Sequence, residues 1–199
     1  MIIIDCDQRT PEWYEARVGR PTASKFSHIM TTKGARSGQR DGYMKILAQE
    51  RITGQMQEAF VSNPMSNGIR NEPKALAVLS MVEEVEITAV GFCLSDDRLY
   101  GCSPDGLIGQ EGGCEAKSPE QKTHIEYLRR GVLPSKYLLQ VQGCMLVTGR
   151  PWWYFISYHE SEVPLILRIP RDEILISKLR HELVCFCREL DDMCAGINK

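Results

Sequence analysis

The chain has 199 residues, 24 lysines and arginines against 26 aspartates and glutamates, a formal net charge of −2, and 43% apolar residues. These are the proportions of an ordinary one-domain globular chain, and they exclude collagen-like, disordered and coiled-coil classes. No apolar run approaches the ~18–20 residues of a membrane-spanning helix, and no basic leader precedes Met1-Ile2-Ile3-Ile4-Asp5, so neither an export signal nor a membrane partner is expected and the protein reads as cytosolic.

In chain order, Thr10-Pro11-Glu12 is a helix start, with an N-cap hydroxyl and a proline at the first helical position. It should open a short helix carrying Trp13 and Tyr14, and Thr22-Ala23-Ser24 reads as a second start. Between Arg17 and Lys45 there are seven basic residues and one acid, Asp41, a local charge of +6. Its centre, Thr31 to Gly42, combines three glycines with Lys33, Arg36 and Arg40 and has almost no apolar anchor. A mobile basic loop is expected there, its three cations candidate contacts to a DNA backbone. Helical spacing resumes at Tyr43–Ile52 and again at Met65–Val82, where Leu76, Leu79 and Val82 recur every third residue. Residues 85–94, 99–108 and 114–117 favour short strands separated by Asp-Asp, Pro-Asp-Gly and Gly-Gly turns, which predicts an antiparallel meander. Helices over 120–130 and 135–147 follow. A buried strand at 152–158, a neighbour at 165–169 and an amphipathic helix over 171–193 complete the chain. This order predicts a mixed α/β (α+β) domain, 1–199, with a central sheet between helices.

Eight cysteines in a cytosolic chain are expected as reduced thiols that pack as small hydrophobes. His28, His124, His159 and His181 show no metal spacing. Cys6, Cys185, Cys187 and Cys194 suggest an iron–sulfur staple only weakly, because Cys185 and Cys187 lie ~200° apart on a helix.

The most informative segment runs from Cys102-Ser103-Pro104-Asp105-Gly106 to Glu115-Ala116-Lys117. Side chains alternate across a strand, so Glu115 and Lys117 share one face about 6–7 Å apart. The register of a tight hairpin can bring the Asp105 carboxylate beside Glu115. Two converging carboxylates suit a hard divalent ion such as Mg²⁺, which prefers oxygen donors and keeps several waters. A lysine within reach can orient or activate water and offset charge on an attacked phosphate.

Gln8-Arg9-Thr10-Pro11-Glu12-Trp13-Tyr14, Arg17-Val18-Gly19, Thr22-Ala23-Ser24, Gly68-Ile69-Arg70-Asn71-Glu72, Cys102-Ser103-Pro104-Asp105-Gly106, Glu115-Ala116-Lys117, Gln140-Val141-Gln142 and Trp153-Tyr154-Phe155 follow one another in a collinear set. In that order they resemble the phage lambda exonuclease and YqaJ-like viral recombinase family, within the PD-(D/E)XK nuclease superfamily, over about residues 8–160. The resemblance implies a restriction-endonuclease-like core and an exonuclease that degrades the 5′ strand of duplex DNA ends, using Mg²⁺ (two ions, with Mn²⁺ as a substitute). It implies Asp105, Glu115 and the Ala116 backbone carbonyl as metal ligands, Glu72 as a further acid for a second ion, and Lys117 as the residue that positions water. By the same resemblance Arg17, Ser24, Ser103 and Gln140 form a 5′-phosphate pocket, and Met65 falls where the family has an apolar wedge. A ring-shaped homotrimer, a single-strand annealing partner in recombination and a phage or prophage protein acting in the bacterial cytosol are likewise implied. Alternatives on the same residues are an endonuclease or iron–sulfur nuclease of the superfamily, and a DNA-end-binding module without catalysis.

Overall fold

A computed structural model describes residues 1–56 and 63–197, with side chains described outside 63–69 and 197. Helix α1 (Pro11–Arg17) starts as expected: the Thr10 hydroxyl accepts the Trp13 N–H, and Pro11 occupies the first turn. A 3-10 segment, Ala23–His28, follows Thr22 and buries Phe26. Helices α2 (Arg40–Thr53) and α3 (Asn63–Glu83) come next. The second half of the chain carries α4 (Gln121–Arg130), α5 (Ser135–Thr148) and the long α6 (Glu173–Ile197).

The strands form two sheets, where one meander was expected. Strand β1 (Ile2–Ile4) joins β2 (Phe92–Leu94) and β3 (Gly101–Cys102) in an antiparallel sheet of three. Strands β4 (Gly106–Ile108), β5 (Gly112–Lys117), β6 (Trp152–Ser157) and β7 (Leu165–Pro170) form a mixed sheet in that order. The stretch 99–108 is therefore broken at Ser103-Pro104-Asp105, where proline has no N–H to continue a ladder. The β5–β6 pair is parallel, which requires a long crossover, and α4 and α5 supply it.

The Gly-Gly pair is strand rather than turn. A side chain at Gly113 would place a Cβ 2.3 Å from the Trp153 ring, so the missing side chain makes room for the fully buried indole. Alternation sorts the mixed sheet's two faces. Trp153 and Phe155 pack into a core with α5, α6 and the 3-10 segment, while Tyr154 and Ile156 pack with Ala75 and Leu79 of α3. On β5, Cys114 and Ala116 belong to the α3 face. Glu115 and Lys117 therefore face α5, sharing one side as their spacing requires.

The basic segment 31–42 is ordered by its own backbone. Thr31 N–H donates to the Ala35 carbonyl, Ser37 N–H donates to that of Ile29, and Met30 bridges to Arg36. Arg40 is buried and pairs with Glu189 (3.1 Å) and Glu182 (3.5 Å) of α6, and Arg36 pairs with the same two acids. These contacts correct the mobile loop, and with it the assignment of Arg40 to DNA, because a buried guanidinium bound to carboxylates cannot also serve a phosphate; Arg36 is exposed on its outer side. Lys33 is exposed.

Candidate active site

A cleft of about 570 Å³ opens between α1, α3, the 103–105 linker, β5 and the N-terminal turns of α4 and α5. Arg17, Ser24, Glu72, Ser103, Asp105, Glu115, Ala116, Lys117 and Gln140 all line it. The structure thus gathers into one cavity residues spread over more than a hundred positions. The Met65 side chain lies outside the described residues.

The β4–β5 register puts Gly106 opposite Cys114, so the next pair outward is Asp105 opposite Glu115. Asp105 Oδ2 accepts the Ala116 N–H at 2.6 Å. Glu115 is buried, and its Oε1 accepts from Gln140 Nε2 at 2.5 Å and from the Lys117 ammonium. Its Oε2 is buried with no hydrogen-bond partner. Burial, then the neighbouring Glu115 charge, pushes the Asp105 carboxyl well above the usual carboxylate range. Burial alone would lower the Lys117 ammonium, but Glu115 and Asp105 outweigh it and hold it above its ordinary value. An orphaned carboxylate oxygen beside a second, electrostatically unfavourable carboxylate is the environment that a divalent cation relieves. Among the described residues, no three His, Cys, Asp or Glu side chains converge as a metal site. The available donors are therefore Asp105 and Glu115, with a backbone carbonyl and water to complete the shell, which suits Mg²⁺.

The expected third acid stands apart. Glu72 lines the cleft from α3, with its Oε2 held at 2.7 Å by Arg9 Nη2.

Elsewhere in the cleft, the Arg17 guanidinium carbon lies over the Trp13 indole, 4.0 Å from its centroid, and Arg17 donates from Nη1 to Ser103 Oγ at 2.8 Å. Trp13 Nε1 donates to the same hydroxyl at 2.8 Å. Arg17 Nε is buried without a partner, and burial lowers the guanidinium's pKa. Ser24 is exposed on the first turn of the 3-10 segment, its Oγ 3.4 Å from Thr22 Oγ1. Arg17 and Ser103 thus form a polar corner with unused donor capacity, and Ser24 lines the same cleft. Gln140 lines the same cleft and donates one Nε2 hydrogen to Glu115.

The sequence reading gave no role to Gln8, Arg9, Trp13, Lys136 or Tyr137, all of which line the cleft. Gln8 Nε2 donates to the carbonyls of Val90 (3.0 Å) and Pro104 (2.7 Å) and so fixes the linker that carries Ser103 and Asp105. Tyr137 lies between two ammonium groups, Lys136 at 4.8 Å and Lys117 at 5.5 Å from its ring centroid. Gln8, Arg9 and Trp13 stand within a motif already quoted, but their contacts are long-range and leave no local signal.

Cys187 is buried with its Sγ 3.7 Å from the Leu99 carbonyl, whereas Cys185 is partly exposed beside His181. The two face different surroundings, which removes the ligand pair that an iron–sulfur staple would need.

The YqaJ-like viral recombinase domain matches residues 12–151. The chain belongs to this family. The YqaJ-like chain is also similar to the alkaline exonuclease LHK-Exo from Laribacter hongkongensis, with 33% identity, 95% of this chain and 96% of that chain covered, and a TM-score of 0.88. A structure of LHK-Exo in complex with dAMP gives 33% identity, coverage of 94% and 96%, and a TM-score of 0.87. A phage related exonuclease from Haemophilus somnus 129PT shares the fold at 12% identity, 89% and 96% coverage and a TM-score of 0.68. Among curated proteins, none matches. The likeness to an alkaline exonuclease supports a nuclease, and no described helix is long and apolar enough to cross a membrane.

Proposed function

We propose that the chain is a Mg²⁺-dependent exonuclease that removes nucleotides from the 5′ strand of linear duplex DNA, leaving a 3′ single strand for recombination by annealing. The observation that carries this reading is the β4–β5 hairpin: Asp105 and Glu115 fall opposite each other, Glu115 Oε2 is unpartnered, and Lys117 lies on the same face. Asp105, Glu115 and the Ala116 carbonyl would hold the cation, with Glu72 available to a second ion and Mn²⁺ able to substitute. When bound, the ion acts as a Lewis acid and stabilises charge on the attacked phosphodiester.

The remaining work falls to the chain's own groups. Lys117, steadied against Glu115, presents an ammonium donor that orients the attacking water and offsets negative charge as it develops. Gln140 fixes the Glu115 carboxylate, which keeps Oε2 directed away from its own donors. Arg17 and Ser103, with Ser24 at the edge, hold the terminal 5′-phosphate through charge-assisted bonds, and the Trp13 ring against the guanidinium limits Arg17 to one orientation. Lys33 supplies a salt-sensitive contact to the duplex backbone. A ring-shaped homotrimer with an annealing-protein partner fits this role, and the bacterial cytosol is where it would act.

A time course on 5′-phosphorylated duplex, 5′-hydroxyl duplex and a closed circle, with Mg²⁺ or with chelator, tests the proposal. Loss of the phosphorylated linear form in Mg²⁺ alone, slower loss of the hydroxyl form and an intact circle are expected. Cleavage of the circle would make the protein an endonuclease, and turnover in chelator would overturn the metal-dependent reading.

A further inference from the structure

Arg9 has a left-handed backbone, φ 71°, which L side chains rarely adopt. A strained residue persists where its surroundings over-determine it. Here the preceding residue, Gln8, is pinned to the Val90 and Pro104 carbonyls, so the turn is held at the cleft wall. From that position the Arg9 guanidinium reaches Glu72 Oε2 on α3 at 2.7 Å, a long-range pair inside the cleft.

The consequence for Glu72 is geometric. The acid is near enough to Asp105 to disfavour its charge, yet among the described residues no three acids, histidines or cysteines converge as a metal site. One of Glu72's two carboxylate oxygens, Oε2, is already held by Arg9. A carboxylate oxygen taken up by a guanidinium must give up that bond, or share it, before it can ligate a cation.

We propose that Arg9 is a positioning residue that competes with the divalent cation for Glu72: it neutralises the acid in the metal-free protein and raises the cation concentration at which Glu72 joins the donors. This inference rests on the cleft being a cation site. Both partners are partly exposed, so the pair is weak and solvent-screened, and the competition amounts to about a two- to fivefold change in affinity. Arg9 therefore acts as a reversible brake on cation loading rather than a lock.

The test is calorimetric titration of the full chain with Mn²⁺, without DNA, comparing wild type, Arg9→Met, Glu72→Gln, the double variant and Glu115→Gln. Arg9→Met should tighten Mn²⁺ binding about two- to fivefold at low salt, with a smaller gain at high salt, and should have no effect in the Glu72→Gln background. Should Arg9→Met fold poorly, Arg9→Gly removes the same guanidinium while relieving the left-handed backbone, and must shift the isotherm in the same direction. Equal or weaker binding by these variants overturns the competition. If wild type and Glu115→Gln bind Mn²⁺ alike, or neither binds it, the cation-site reading itself falls, which separates the two failures.

Discussion

Asp105 shows how much a single side chain can be asked to bear. Its carboxylate sits beside Glu115 and within the field of Glu72, and only Lys117 and one backbone N–H favour its charge. Replacing it with asparagine preserves an acceptor for the Ala116 N–H and removes the repulsion. Asp105→Asn should therefore abolish cleavage while raising the melting temperature of the metal-free protein by about 3–6 °C, as when a strained functional site is relaxed. Calorimetry in chelator checks the second half, and a fall in melting temperature would contradict it. Arg17 bears a different load, because its fork serves Ser103 and leaves donors for a ligand while its guanidinium carbon lies over Trp13. Lysine keeps the charge but loses both the fork and the planar group over Trp13. Arg17→Lys should cut the rate ratio of 5′-phosphorylated to 5′-hydroxyl duplex by about tenfold, with little change on the hydroxyl end.

Among the elements, α2 and α6 are joined by the Arg40, Glu182 and Glu189 group, with Arg36 at its outer edge. Arg40→Ala leaves Glu182 and Glu189 to Arg36 alone and should lower stability by about 1–3 kcal/mol, without altering how binding responds to salt. Lys33→Ala should do the reverse, leaving the melting temperature unchanged and reducing the salt slope of duplex binding by about one. Exchange of those two outcomes would return Arg40 to the DNA surface. The elements also show what could be read in advance. Cap chemistry placed α1, and apolar spacing placed the five longer helices and β6–β7. Two-residue periodicity put Glu115 and Lys117 on one face. Arg40 could not be assigned that way: its partners lie about 150 positions downstream, and composition does not distinguish a cation that meets solvent from one that meets glutamate. Gly112-Gly113 misled for a similar reason, since small residues mark turns and close packing alike, and the indoles that need the space come from β6.

Across the whole molecule, the division into two sheets at Ser103-Pro104-Asp105 was the feature least visible beforehand. Each half looks like an ordinary strand, and only tertiary pairing decides which partner it takes. The candidate site was legible where it is local, in Asp105, Glu115 and Lys117. It was obscure where it depends on Gln8 and Arg9 reaching residues more than sixty positions away.

The same break in the strands acts as a ruler. Ser103 belongs to the recess proposed for the terminal phosphate and Asp105 to the hairpin proposed to hold the ion, so the two anchors are separated by one proline and at most ~7 Å of chain. That span is of the order of one repeat of a nucleic-acid backbone, and proline with the Gln8 clasp keeps it from stretching. Each catalytic cycle should thus release a mononucleotide rather than short oligomers, a step size that mass spectrometry of early products would read directly. An extra residue inserted beside Pro104 should blur the step before it abolishes cutting.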